Sequence, residues 1–173
     1  MTKFIIVVGL VFLLSTSVVH SKAPDQDILR PNNHENVVMF VHGYTGDAMG
    51  TWKHFRELLR DDPDLGGYDF LFLDYPSRFV GPNPDIEFVG RFLGTEYRER
   101  LSSYKHVYLV GHSMGGLVIK SMVIDYLRDG RSSDLKKIEH ILFLATPNRG
   151  VDIPLLMRLF NPQLGDLFVT SKQ

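Results

Sequence analysis

The feature that most narrows the fold is a strand that must turn into a helix at one tight corner. Val107-Tyr108-Leu109-Val110, opened by His106, leads without a break into Gly111-His112-Ser113-Met114-Gly115-Gly116. Leu117, Val118, Met122 and Leu127 then recur on one side of a helical repeat, which Asp129-Gly130 closes. Gly111 and Gly115 lack a Cβ, so strand and helix can approach closely around Ser113. The serine hydroxyl would stand above the sheet, at the positive end of the following helix. Gly-x-Ser-x-Gly alone is a modest signal in a chain with 15 glycines. The apolar strand before it and the amphipathic helix after it make it a nucleophile elbow. A phosphate-binding turn would need Gly-x-Gly-x-x-Gly or a lysine after the glycines, and neither is present.

Three more apolar runs read as strands: Val37–Val41, Phe70–Leu73 and Ile141–Leu144. Continuous apolar runs rich in β-branched and large side chains suit strands covered on both faces of a parallel sheet. A helix is expected from Thr51 to Arg60, capped by Thr51, with Trp52, Phe55, Leu58 and Leu59 on one face. A second is expected from about Asp85 to Leu101, where Phe88, Phe92, Leu93 and Tyr97 recur and Gly90 and Gly94 weaken the pattern. A short amphipathic helix is expected between Pro154 and Phe160. Strand and helix therefore alternate, which calls for an α/β fold: a parallel sheet, right-handed crossovers, and helices on both faces.

Composition bounds what such a domain can do. The 173 residues suffice for one core, with 44% hydrophobic and 23% charged residues. Nineteen basic and 20 acidic residues give a net charge of -1, so nothing electrostatic points to a nucleic-acid partner. There is no cysteine, which excludes disulfides, thiol catalysis and cysteine-ligated zinc. At the start, Lys3, the apolar run Phe4–Leu14 and the small residues through Ser21 and Ala23 have the layout of a secretory signal, residues 1–23, cut near 21–23. The expected location is therefore secreted or exported. An uncleaved segment, extended by Val18 and Val19, would instead anchor the chain to a membrane surface. Residues 24–35, polar with Pro24, Pro31 and Asn32-Asn33, read as an exposed lead-in to a domain spanning 36–173.

A second piece of chemistry follows the first domain strand: Phe40-Val41-His42-Gly43-Tyr44-Thr45-Gly46. Acyl transfer needs two backbone N–H groups aimed at the oxygen that becomes negative. One normally belongs to the residue after the nucleophile, here Met114. The other comes from a loop after an earlier strand, where Tyr44 stands. This chemistry calls for no cofactor and no metal.

With FVHGYTGDAMGTW, LVGHSMGGLVIK and LFLATPNRG in place, the chain resembles the α/β-hydrolase superfamily. More narrowly, it is similar to lipase-like serine esterases of the GPI inositol-deacylase-like branch. The elbow carries the superfamily; LATPNRG and the Thr51-Trp52 pair carry the branch. The resemblance implies a three-layer α/β-hydrolase fold with family strands three to six in the order 4-3-5-6. It also implies hydrolysis of a carboxylic ester or lipid through an acyl-serine on Ser113, with the direction of strand addition switching between the Tyr44 and Ser113 strands.

The family's triad runs serine, acid, histidine along the chain. This sequence reaches Gln173 before the elements that carry the acid and the histidine, so a chain truncated after the sixth family strand is expected. Its own histidines fit poorly. His20 lies in the signal; His34, His106 and His140 lie at strand starts; His54 is on the first helix; His42 and His112 belong to the two loops. Asp152 follows the last strand, where some lipases of the superfamily place an acid, and a solvent-facing role is the simpler reading. Phe79, Val80, Leu155, Leu156, Leu159 and Phe160 would suit an acyl chain or equally pack a helix. The competing reading is a non-catalytic hydrolase-like binding module without acid and histidine.

Overall fold

A computed structural model describes residues 28–29, 34–75, 77 and 85–148. The apolar runs form strands β2 (Asn36–Val41), β3 (Tyr68–Leu73), β4 (His106–His112) and β5 (Ile138–Leu144). They are joined by helices α1 (Ala48–Asp61), α2 (Ile86–Arg100) and α3 (Met114–Arg128). β2 pairs in parallel with β3 on one side and β4 on the other, and β4 pairs in parallel with β5. The order β3-β2-β4-β5 is the one expected, and the first domain strand lies inside the sheet.

A fifth strand makes the sheet mixed. Ile28–Leu29, β1, pairs antiparallel with Phe70 and Leu71 of β3 at the sheet edge. These two residues lie in the stretch read as an exposed lead-in. Ile28 packs on one core and Leu29 on the other, so each face gains one apolar side chain. Two residues are too few to show a period, which is why the sequence concealed them.

The sheet separates two cores. On one face Phe40, Phe70, Phe72 and Val110 lie under Ala48 and Trp52 of α1. Phe40 stacks on Phe72 at 4.7 Å and meets the Trp52 edge at 5.0 Å. On the other face α2 and α3 cover Met39, Val41, Leu71, Leu73, Val107 and Leu109.

The helices differ in detail from their sequence patterns. α1 begins one turn earlier than expected, because Asp47 caps it: its Oδ1 accepts the Gly50 N–H at 2.6 Å. Only Ala48 and Trp52 of α1 are buried, and Leu58 is 71% exposed. In α2 the buried stripe is Val89, Gly90, Leu93, Gly94 and Tyr97, while Phe88 is 61% exposed. The glycines are contact residues. A Cβ on Gly90 would sit 2.5 Å from Ser121 Oγ, and one on Gly94 3.0 Å from the Tyr126 ring. The Tyr126 hydroxyl donates to the Gly94 carbonyl at 2.7 Å. In α3 the buried side carries Val118, Ile119, Met122 and Tyr126, and Leu127 faces solvent.

The amino end of the sheet is closed by paired polar groups. Buried Asp69 takes a hydrogen bond from the Tyr104 hydroxyl at 2.8 Å and lies 2.7 Å from His34 Nδ1. Burial, and then the neighbouring Asp69, push the Tyr104 phenol up to about 12. His106 pairs with Glu139 at 2.7 Å. The expected signal, residues 1–23, and the helix expected between Pro154 and Phe160 fall outside the described residues.

Candidate active site

At the carboxyl end of β4 the backbone reverses into α3 through Ser113, whose φ of 53° and ψ of -122° are rare for a residue with a Cβ. The corner holds because everything around it fits. Ser113 N–H donates to the Leu144 carbonyl of β5 at 2.8 Å. A Cβ on Gly115 would lie 2.3 Å from the Val41 carbonyl oxygen and 2.4 Å from that of His42. One on Gly111 would meet the Gly116 backbone at 2.6 Å. Backbone cannot yield as a side-chain tip can, so β2, β4 and α3 meet this closely only with glycine at both positions.

Ser113 occupies the N-cap position of α3 without capping it through its side chain. A serine there usually gives its oxygen to the N–H two or three residues on. Here that oxygen makes no hydrogen bond to any described residue, and the residue is 5% exposed. Met114, the first residue of α3, stands beside it at the positive end of the helix dipole.

The β2 loop closes over this corner. A Cβ on Gly43 would lie 2.9 Å from the Ser113 Cβ. Tyr44 follows directly, and Thr45 adopts a φ of 57°. Gly46 N–H donates back to the Gly43 carbonyl at 3.2 Å, and the Ser77 hydroxyl donates to the Gly46 carbonyl at 2.6 Å. Thr51, expected as a helix cap, instead sets its Oγ1 against Gly46, where a Cβ would come within 2.6 Å. The loop after β5 forms a third wall. Ala145 has a φ of 51°, and Thr146 presses so closely on Gly116 that a Cβ there would lie 2.0 Å from Oγ1. Lys120 of α3 donates to the Asn148 side chain at 2.6 Å.

Ser113, Met114 and the loop carrying Tyr44 are thus brought together at one end of the sheet. The histidines are not. His34 and His106 are paired at the opposite end, His140 is exposed on β5, and His54 is exposed beside Glu57. His112 tucks under Trp52, with ring centroids 6.2 Å apart, and its Nδ1 has no hydrogen-bond partner. His42 is fully buried beneath the β2 loop, where burial pushes its pKa below the ordinary histidine range, against the opposing charges of Asp74 and Asp47. Phe79, Val80, Asp152, Leu155, Leu156, Leu159 and Phe160 lie outside the described residues. Sequence reasoning missed Tyr75 and Ser77, which tie the β2 loop to the end of β3. A groove of about 490 Å³ runs between α2, α3 and the turn 132–137, and one of about 450 Å³ runs between α2 and α3. Neither is lined by Ser113, Tyr44 or Met114.

The profile of the family described as "Putative serine esterase (DUF676)" matches residues 31–157. The chain belongs to this family. Protein SERAC1 of Danio rerio, 28% identical, is matched over 65% of this chain and 22% of its own length. Among solved structures, the lipase BlEst2 of Bacillus licheniformis superposes with a TM-score of 0.53 at 25% identity, covering 74% of this chain and 49% of the lipase. A lipase-esterase related protein from Clostridium acetobutylicum superposes with a TM-score of 0.51 at 17% identity, over 79% and 53% of the two chains. The chain spans about half the length of these two structures and about a fifth of SERAC1. The DUF676 chain therefore has the α/β-hydrolase fold and the lineage of serine esterases and lipases.

Proposed function

We propose that Ser113 is the nucleophile of a carboxylic-ester hydrolase. The observation that carries this reading is the elbow itself: a serine at φ 53° whose hydroxyl declines the cap it could form. The Ser113 oxygen attacks the ester carbonyl and its proton passes to a general base. The carbonyl oxygen becomes an anion, held by the N–H groups of Met114 and Tyr44. Collapse expels the alcohol, protonated by the base, and leaves an acyl-serine. Water then attacks that ester and returns the free acid and the serine. In this reading the base lies outside the described residues, since no described histidine hydrogen-bonds the Ser113 hydroxyl. The substrate is an ester or lipid, and residues 1–23 direct the chain to export.

A fluorophosphonate probe tests the nucleophile. Peptide mapping of the labelled full chain should place the adduct on Ser113, and Ser113→Ala should take no label. A label on another serine, or one that persists in Ser113→Ala, overturns the assignment. N-terminal sequencing of the cell-expressed protein tests the export signal: an intact Met1 on a cytosolic product contradicts it.

A further inference from the structure

We propose that His42 and Tyr75 form a positioning unit for the β2 loop: the imidazole, held as the neutral Nδ1–H tautomer, fixes the Gly43–Gly46 backbone against Ser113, and a second proton on the ring exchanges its Tyr75 bond for the Asp74 carboxylate. The consequence for an oxyanion site rests on the reading of Tyr44 given above. The unit itself stands on geometry.

Both ring nitrogens have partners whose roles are fixed. Nδ1 lies 2.9 Å from the Gly43 carbonyl oxygen, which can only accept, so Nδ1 carries the proton. Nε2 lies 3.3 Å from the Tyr75 backbone nitrogen, which can only donate, so Nε2 presents its lone pair. The Tyr75 ring stacks on the imidazole at 4.1 Å and 8°, and its hydroxyl donates to the His42 carbonyl at 2.6 Å. The same Gly43 carbonyl takes the Gly46 N–H. One oxygen therefore couples the ring to the turn that carries Tyr44. Because Gly43 lies against the Ser113 Cβ, a shift of this peptide is a shift at the serine.

A proton on Nε2 would confront the Tyr75 N–H, donor against donor, and that bond would break. An alternative acceptor waits nearby: Asp74 Oδ1 is 3.5 Å from Nε2, on a partly exposed carboxylate that also accepts the Ala48 N–H. The titratable groups around the ring are Asp74 and Tyr75 beyond β3, Asp47 at the α1 cap, and His112 one step beyond the Val41–Gly111 pair of β2 and β4. Protonation exchanges the Tyr75 N–H for the Asp74 carboxylate, while Nδ1–H, now on a cation, donates more strongly to the Gly43 carbonyl. Burial opposes that proton, so the exchange falls below the ordinary histidine range.

Nitrogen-15 NMR of the full chain tests this without need of turnover. At neutral pH the His42 ring should show a protonated Nδ1 and a bare Nε2. As the ring titrates below pH 6.5, the exchange protection of the Tyr75 amide should fall about tenfold, in keeping with loss of one buried hydrogen bond, while that of the Gly46 amide holds. The amides of Leu109 and Val110 in β4 should keep theirs. His42→Phe, which retains the stack and removes both ring hydrogen bonds, should show low Tyr75 protection at every pH and Gly46 protection below that of the wild type. A ring protonated on Nε2 at neutral pH overturns the proposal, as does Tyr75 protection that ignores the titration or Gly46 protection that His42→Phe leaves unchanged. Should the variant not fold, the wild-type titration decides alone. Ser113 labelling is scored separately: its absence counts against the esterase reading, whereas ring tautomer and the protection of Tyr75 and Gly46 decide the positioning unit.

Discussion

At the amino end of the sheet a buried acid is fully answered: Asp69 has His34 on one oxygen and Tyr104 on the other. At the carboxyl end the accounting is left open. Thr45, Ser113 and Ala145, the three non-glycine residues with positive φ among those described, follow β2, β4 and β5 at that end. Trp52 Nε1, His112 Nδ1 and Thr146 Oγ1 are buried there without hydrogen-bond partners. One sheet thus has a relaxed end and a strained end, and the strained end holds the candidate nucleophile. Strain of this kind costs about 1–3 kcal/mol per residue and persists only where the surroundings enforce it.

The largest effect should come from tightening the strained end further. Gly115→Ala drives a Cβ into two backbone carbonyls, and a helix-propensity gain of about 1 kcal/mol cannot offset it. The expected cost is about 3 kcal/mol or more, read as a fall in unfolding midpoint, together with loss of Ser113 labelling. A variant with wild-type stability would show that β2 and α3 are less tightly apposed than described.

Next comes the relaxed end. Asp69→Ala strands the His34 ring and the Tyr104 hydroxyl, and should cost about 1–3 kcal/mol in chemical denaturation. Labelling of Ser113 by a fluorophosphonate should be unchanged as long as the chain is folded. A labelling rate that falls with Asp69→Ala would mean that the two ends are coupled and the contrast is false.

A smaller change of opposite sign tests the strain directly. Ser113→Gly removes the Cβ from a left-handed backbone and should stabilise by about 1 kcal/mol, net of the entropy glycine loses on folding. Differential scanning calorimetry against Ser113→Ala separates the two effects. A Ser113→Gly variant no more stable than Ser113→Ala would argue that the elbow carries no strain.

The smallest effect is a pH dependence. His42 is buried neutral, so its pKa is lower folded than unfolded. Between pH 6.5 and that lower value the unfolded chain binds more protons, and stability falls as the pH falls. Urea midpoints at pH 7.5 and pH 5.5 should differ more in wild type than in His42→Phe. Equal differences would remove His42 from the acid response.

The parallel strands and the elbow were legible because they rest on long, unbroken signals. Four apolar runs set the sheet, and GHSMG between strand and helix set the corner. What stayed hidden depended on partners distant in sequence. Gly90 and Gly94 read as weak points of a helix until Ser121 and Tyr126 are seen packed on them. Leu58 and Leu127 fit an apolar stripe but find no neighbour to cover them. Tyr75 looks like the residue that ends β3, and nothing local announces that it stacks on His42. The corner that carries Ser113 and Met114 and the loop that carries Tyr44 were readable from motif and strand order, whereas the contacts that hold the loop against the corner were not.

The bond from the Ser113 N–H to the Leu144 carbonyl also orders events in time. A ribosome delivers β2, β3, β4 and the elbow sequence before β5 exists. Until β5 docks, the serine's own amide has no β5 carbonyl to receive it, and nothing yet braces the corner from that side. At elongation speeds of about 5–20 residues per second, the wait lasts on the order of seconds. A nascent chain can therefore carry the whole GHSMG motif through its early folding while the corner around it is still slack.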